Sequence, residues 1–254
     1  MKNILEKLSG VGVSEKNKPE EKIENSEIDR LEGPTEVILE KILDKIERGE
    51  YNLIIGADAS GRVPTLIFKK FIDYLYQKLG YQKPKTIFLA GAGMGLKGAT
   101  GSEKSFLEHK QGGAKEYIEK LGPKKVLIVE DTIVRGSSIH FMCEILENMV
   151  IPFDVVSITS YNDETEIEEV RRYLGAENVY VGTDKSGDIY GNRHLSGVIK
   201  DKTQVFSKPY KQEFASEDEK ANIQKKINQA RKDAEIVTGH IIDWYESRKA
   251  EDEK

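Results

Sequence analysis

The sequence predicts an α/β protein built on a five-stranded parallel sheet flanked by helices. Short, unbroken apolar runs alternate with segments in which apolar residues recur every three or four positions. Unbroken apolar runs are typical of strands in parallel sheets covered on both faces. Apolar residues that recur every three or four positions are typical of amphipathic helices. Right-handed crossovers through the helices then keep the strands parallel. The predicted strands are residues 52–57, 86–90, 125–130, 153–159 and 178–182.

Four segments follow one another along the chain. Residues 1–33 are charged and almost free of periodic apolar residues, which predicts a mobile arm. Folded structure is expected to begin near Pro34, with the α/β core over residues 34–182 and an irregular segment over 183–215. The pattern of residues 216–254 predicts an amphipathic helix whose apolar seam packs on the core, on the irregular segment 183–215 or on a second copy in a homodimer. The seam consists of Ile223, Ile227, Ala230, Ala234, Val237, Ile241 and Trp244.

Composition favours a soluble protein of the cytoplasm. The chain has 254 residues, of which 38% are hydrophobic, enough to bury a substantial core. No apolar run approaches the roughly 18 residues of a membrane span. The single Cys143 forms no internal disulfide and is expected to be a buried structural thiol. A net charge of −5 gives no general attraction for nucleic acid, and the histidines show no metal-ligand spacing.

The run Val-Leu-Ile-Val-Glu-Asp-Thr-Ile-Val-Arg-Gly-Ser-Ser at residues 126–138 carries the most functional information. Glu130 and Asp131 fall at the carboxyl end of a strand, the edge at which open α/β sheets bind ligands. The following turn supplies backbone amides, a glycine and two hydroxyls just before a helix expected to begin near Ile139, which suits a phosphate. Because carboxylates accept hydrogen bonds from vicinal hydroxyls, the combination suits ribose 5-phosphate.

These residues resemble the 5-phosphoribosyl-1-diphosphate (PRPP) motif of the type I phosphoribosyltransferases, with its four apolar residues, acidic pair and small-residue loop. The resemblance implies that Glu130 and Asp131 hold the ribose 2- and 3-hydroxyls. Thr132 stands where an aliphatic residue is usual, and Arg135 where a small hydroxyl residue is common. The residues that the resemblance implies around the 5-phosphate are Val134, Arg135, Gly136, Ser137 and Ser138.

A second segment, residues 58–64, follows the first predicted strand and leads into a helical pattern. Gly61 permits a backbone conformation that turns amides toward an anion, and Arg62 offers a planar fork for a diphosphate. The segment resembles the pyrophosphate loop that the same family carries after its first core strand. The implied pyrophosphate-binding residues are Ala59, Ser60, Gly61 and Arg62.

A third segment, residues 91–101, is rich in glycine and predicts a mobile loop. Type I enzymes carry a flexible loop at this place, which closes over PRPP and excludes water. Lys97 and Lys104, with Lys110 as a further candidate, would then approach the diphosphate. The glycine spacing does not fit a dinucleotide-binding fingerprint.

The resemblance implies a glycosyltransferase of nucleotide salvage. It would transfer phosphoribosyl from PRPP to a nitrogenous acceptor, a nucleobase in the simplest case, with Mg²⁺ on the diphosphate and with Glu130, Asp131 and Arg62 as the catalytic residues. In the family a hood covers the site, and residues 183–215 occupy that place here. Its candidate acceptor contacts are the aromatic residues Tyr190, Phe206 and Tyr210 and the polar residues Asp184 and Asn192.

Two other classes of function remain open at this stage. A regulatory protein that senses PRPP or a nucleotide would keep the same pocket without turnover. An RNA-binding regulator would need a basic face, which the acidic balance of the chain does not favour.

Overall fold

The computed structural model describes residues 22–91, 101–183, 193–199, 204–209 and 216–252. Helices and strands alternate through the core as predicted. The helices are α1 (Ser26–Asp29), α2 (Glu32–Glu47), α3 (Arg62–Leu79), α4 (Gly101–Leu121), α5 (His140–Asn148), α6 (Glu164–Leu174) and α7 (Glu217–Asp252), with a 3-10 helix at Arg193–Ser196. The strands are β1 (Leu53–Asp58), β2 (Lys85–Ala90), β3 (Val126–Ile133), β4 (Phe153–Ser160), β5 (Asn178–Thr183), β6 (Val198–Ile199) and β7 (Lys208–Pro209).

Strands β1 to β5 form one parallel sheet in the order β2-β1-β3-β4-β5. The predicted fold class and the positions of all five strands are confirmed. The largest difference is in β3, which continues to Ile133 instead of ending at residue 130, so that both Glu130 and Asp131 lie within the strand. Backbone pairing with β4 carries the strand through these polar residues, because Thr132 and Ile133 stay in register with Thr159 and Ser160.

Helices cover both faces of the sheet. One apolar core lies between the sheet and α1, α2, α3 and α7, and the other between the sheet and α4, α5 and α6. Successive strand residues face opposite sides, so Ile54 and Val129 belong to the first core, and Ile55 and Ile128 to the second. None of the described helices is long and apolar enough to span a bilayer.

The long helix α7 docks within its own chain, mainly on α3. Five of the seven predicted seam residues are buried, while Ile223 and Trp244 are only half-buried. Tyr245 is buried at the end of the seam, where Trp244 was predicted. Its ring meets Phe71 edge-on at 5.8 Å between centroids, and its hydroxyl donates to the Glu47 carboxylate at 2.9 Å. The seam is therefore covered without a second copy.

The folded chain begins before Pro34, so the boundary predicted there is corrected. Ile28 and Leu31 are fully buried. The Asp233 carboxylate in α7 accepts hydrogen bonds from the Asn25 amide at 2.8 Å and from its side chain at 2.6 Å. The short helix α1 was missed because its four residues include a single apolar one, Ile28, which gives no readable period. Residues 1–21 of the predicted arm lie outside the described residues.

The amino-terminal end of the sheet is held by a buried carboxylate. Asp154, at the start of β4, is fully buried and accepts hydrogen bonds from Lys45 at 2.8 Å, Tyr51 at 2.7 Å and Asn178 at 2.7 Å. Burial alone would raise the pKa of Asp154, but the hydrogen bonds from Lys45, Asn178 and Tyr51 outweigh it and hold the pKa below its ordinary value. This network lies at the edge opposite to the proposed ligand site.

Part of the predicted hood segment, residues 183–215, is described. Its strands β6 and β7 pair antiparallel. The carbonyl of Val205 accepts a hydrogen bond from the Ala90 amide at 2.9 Å, which attaches the segment to the end of β2. The Phe206 ring lies edge-on to Tyr117 of α4, with 5.4 Å between centroids, so this acceptor candidate packs against the core while remaining 45% exposed.

Candidate functional site

The sheet splits at its carboxyl edge between β1 and β3. Pairing between these strands stops at Gly56 and Val129, although β1 stays paired with β2 up to Asp58 and β3 stays paired with β4 up to Ile133. The connections from β1 and β3 also leave in opposite directions along the sheet. Such a topological switch point opens the crevice in which doubly wound α/β proteins bind ligands. Both predicted loops border this crevice.

The two acids on β3 have different environments. Glu130 is 3% exposed and accepts hydrogen bonds from the Ser138 hydroxyl at 3.1 Å and from the Asp131 amide at 3.2 Å. Asp131 is half-buried and accepts a hydrogen bond of 2.6 Å from the Ser60 hydroxyl, across the crevice. Glu130 therefore ties β3 to the loop that follows it, and Asp131 is the carboxylate that reaches across to β1.

The predicted phosphate loop, residues 134–138, joins β3 to α5. Gly136 has φ +72°, and an added Cβ would lie 2.9 Å from the Leu174 side chain, so both the backbone and the packing require glycine here. Its carbonyl accepts from the amides of Ile139 and His140 at 3.1 and 2.9 Å, which fixes the turn. Within the described part of the chain, no amide of residues 134–138 donates to a protein acceptor. These amides precede a helix and are available to an anion.

A cavity of about 710 Å³ borders the outer side of the phosphate loop, toward α6. Arg135 is exposed and lines this cavity, together with the half-exposed rings of Tyr161 and Tyr173. The Asn162 side chain donates to the carbonyl of Val134 and holds the loop from this side. The open surroundings explain how an arginine is accommodated where the family pattern has a small residue.

The predicted diphosphate loop, residues 59–61, joins β1 to α3. Gly61 has φ −69°, a value that any residue can adopt, so its backbone conformation does not by itself require glycine. An added Cβ would lie 2.7 Å from the Ala57 carbonyl oxygen and 2.9 Å from that of Val129, so glycine is required by the close approach of β1 and β3. No amide of residues 59–61 donates to an acceptor in the described ranges. This loop is a second set of backbone donors at the same crevice.

Arg62 begins α3 and is already paired. Its guanidinium donates to the buried Asp58 carboxylate at 2.8 and 3.2 Å, and lies 4.3 Å over the centroid of the Phe88 ring. A diphosphate at this loop would therefore compete with Asp58 for the fork. Asp58 ends β1 and Arg62 begins α3, so the ion pair forms across the turn between them and no helical periodicity in the sequence predicts it.

Lys110 does not reach the crevice. It is 2% exposed, and its ammonium donates to the Ala90 carbonyl at 2.7 Å, which anchors α4 to the end of β2. Several predicted contacts lie outside the described residues or side chains: Lys97, Lys104, Asp184, Tyr190, Asn192 and Tyr210.

The donor set near the diphosphate loop fits Mg²⁺ that is bound together with a phosphate ligand. Among the described residues, no three His, Cys, Asp or Glu side chains form a metal cage. Mg²⁺ usually keeps several waters and takes one or two carboxylates plus substrate phosphates. Asp131 and Asp58 supply two carboxylates beside residues 59–61, whose backbone amides are predicted to bind the diphosphate.

Cys143 is buried in α5, as predicted. Burial, followed by the neighbouring Glu147, raises the pKa of its thiol well above the ordinary value. A thiol in this state is a poor nucleophile. Cys143 is therefore not a candidate nucleophile for chemistry at the crevice.

The chain matches no protein-family model and no curated protein sequence. Function is therefore inferred from the crevice itself.

Proposed function

We propose that the protein is a phosphoribosyltransferase that transfers 5-phosphoribosyl from PRPP to a nitrogenous acceptor, in the simplest case a nucleobase, and releases pyrophosphate. One observation carries the proposal. At the switch point, the carboxylate of Asp131 lies between two loops, residues 59–61 and 134–138, whose amides donate to no protein acceptor among the described residues. PRPP has the matching order of groups, because its ribose hydroxyls lie between a diphosphate and a 5-phosphate.

The proposed reaction needs positioning and charge stabilisation. The acceptor nitrogen bonds to the anomeric carbon, the carbon–oxygen bond to diphosphate breaks, and the acceptor loses a proton. Positive charge develops on the ribose ring and negative charge on the leaving diphosphate. Asp131 would orient the ribose hydroxyls and stabilise the ring, while the amides of residues 59–61 and Arg62 would stabilise the diphosphate. Bound Mg²⁺ would supply further positive charge to the diphosphate.

Glu130 has a supporting role in this proposal. Its hydrogen bond from Ser138 holds the end of the phosphate loop, and its burial keeps it away from solvent. Both observations support a residue that shapes the 5-phosphate site, with Asp131 as the principal ribose contact.

A non-catalytic sensor of PRPP or a nucleotide is the second candidate. The Arg62–Asp58 ion pair favours it, because an arginine that is already neutralised stabilises a leaving diphosphate less. Release of pyrophosphate with a panel of purine and pyrimidine bases separates the candidates. Tight PRPP binding without release for any base supports the sensor.

Calorimetric titration of PRPP with Mg²⁺ tests the site shared by both candidates. Asp131→Asn should weaken binding at least tenfold, because the neutral amide is a weaker acceptor for ribose hydroxyls. Asp44→Asn removes one exposed carboxylate from α2 and should leave the Kd unchanged. The proposal fails if PRPP does not bind saturably, or if the two variants bind equally.

The proposed partners are PRPP and the small acceptor. A cytoplasmic setting remains our proposal, since the one cysteine is buried and free. Because α7 covers its seam inside the chain, a homodimer through this seam is not supported, and a homodimer through another face stays a prediction.

A further inference from the structure

A second cavity lies between α3, β2, the 3-10 helix and α7, and Arg62 is the one lining residue that it shares with the residues assigned to the crevice. Its volume is about 230 Å³. Apolar wall residues come from three of these elements: Leu66 of α3, Phe88 of β2 and Leu195 of the 3-10 helix. Leu195 is buried, while Leu66 and Phe88 are half-buried, so the apolar wall of the cavity is partly exposed to solvent.

Charge at this cavity is predominantly positive. Its lining contains the cations Arg62, Lys70 and Arg231 and the single carboxylate Glu235. Lys70 is paired with Glu235 at 2.7 Å, and Arg62 is paired with Asp58. Arg231 of α7 has no ion-pair partner within the described ranges. Among the described residues, the cavity thus keeps one cation without an ion-pair partner beside an apolar wall.

We infer that this cavity binds a small ring compound carrying one acidic group, of the class of aromatic carboxylates or phosphates. The acidic group would pair with Arg231, and the ring would lie against Leu66, Leu195 and the Arg62–Phe88 stack. An apolar cavity of about 150 Å³ holds benzene, and drug-sized ligands need about 300 Å³ or more. A volume of about 230 Å³ therefore suits a single substituted ring and is too small for a nucleotide.

This site goes beyond the proposed transfer reaction and does not depend on it. Arg62 belongs to both sites, but Arg231 and Leu195 come from α7 and the 3-10 helix, whereas the crevice is formed by the ends of β1 and β3. Binding at the cavity is therefore measurable in the absence of PRPP.

Calorimetry or ligand-observed NMR on the full chain at low salt, with benzoate and phenyl phosphate, tests the inference. Benzamide is the uncharged match in shape. We expect at least one of the two anions to bind saturably and at least tenfold more tightly than benzamide. Arg231→Ala should weaken that anion at least tenfold. Lys232→Ala removes an exposed cation from the next position of α7, outside the cavity lining, and should change the Kd less than twofold.

Leu66→Trp fills the cavity and should abolish binding of the anion, with circular dichroism confirming the fold. If that variant fails to fold, the comparison of Arg231→Ala with Lys232→Ala still tests the inference, because both residues are exposed. The inference is overturned if neither anion binds, if benzamide binds as tightly as the anions, or if the Arg231 and Lys232 variants behave alike.

Discussion

The Ser60 hydroxyl donates a hydrogen bond of 2.6 Å to the Asp131 carboxylate, between the loop after β1 and the strand β3. It crosses the crevice beyond the point at which the two strands cease to pair. Ser60 therefore holds the Asp131 side chain in one orientation before a ligand arrives, and it occupies an acceptor position that ribose hydroxyls would take over.

Ser60→Ala should affect stability more than PRPP binding. The variant loses a half-buried hydrogen bond to a charged group, which we expect to lower the free energy of unfolding by about 1–2 kcal/mol. Ribose hydroxyls would replace the lost donor, so the Kd for PRPP should change less than about threefold. Urea unfolding and calorimetry measure the two quantities. An effect on PRPP binding as large as that of Asp131→Asn would contradict the exchange of hydrogen bonds.

Gly136→Ala should be more destabilising than Gly80→Ala. Both glycines have positive φ, at +72° and +79°. A Cβ on Gly136 meets Leu174 at 2.9 Å, whereas a Cβ on Gly80 meets nothing within 4 Å. The added overpacking predicts an extra loss of about 1–3 kcal/mol, measured by urea unfolding. Combining Gly136→Ala with Leu174→Ala should recover part of this loss in a double-mutant cycle, and strict additivity would exclude the clash as its cause.

Stability should fall in acid through Asp154. The pKa of this group is lower in the folded chain than in the unfolded chain, so its contribution is present above the ordinary Asp pKa and disappears as pH falls through the folded value. Asp154→Asn should lower the free energy of unfolding by about 3 kcal/mol at pH 7 and flatten its dependence on pH below about 4. Unfolding curves from pH 7 to pH 3 test this. An unchanged slope in the variant would show that other carboxylates dominate.

Docking of α7 should be a large part of the stability. Ile241 is fully buried, and Ile241→Ala should lower the free energy of unfolding by about 2–5 kcal/mol. Lys232→Ala, on the exposed side of the same helix, should stay within about 0.5 kcal/mol of the parent chain. Denaturant unfolding compares them. Equal stability of the two variants would mean that α7 is detached in solution.

Cys143 should resist labelling in the native state. Its raised pKa leaves little thiolate at pH 8, and its side chain is fully buried. A chromogenic disulfide reagent should react at the rate of unfolding in buffer and rapidly in denaturant. Fast labelling without denaturant would contradict the buried position.

Much of the sheet was predictable from sequence because each strand is an unbroken apolar run between turn residues. The order of the strands was not, since the side of β1 on which β2 and β3 pair depends on tertiary packing. The end of β3 was misplaced because Glu130, Asp131 and Thr132 are polar, although backbone pairing with β4 carries the strand through them.

The candidate site was predicted in parts. The two loops were visible as small residues after apolar strands, but the Ser60–Asp131 hydrogen bond joins residues 71 positions apart and has no local signal. The sequence marked Gly61 as a candidate site residue. The reason that glycine is required, the closeness of the carbonyl oxygens of two strands, depends on the folded sheet. The second cavity requires α3 and α7 side by side, a packing that periodicity alone does not give.

The contact between Asn25 and Asp233 spans 208 positions of the chain. During translation the segment around α1 leaves the ribosome early, while its partner helix is made after the whole sheet. The segment around α1 therefore cannot form its contacts with α7 while the strands pair, and it docks on α7 only after α7 has been synthesised. Closure of the fold by its first and last described helices thus follows the synthesis of the whole sheet, and the hydrogen bonds between Asn25 and Asp233 form only then.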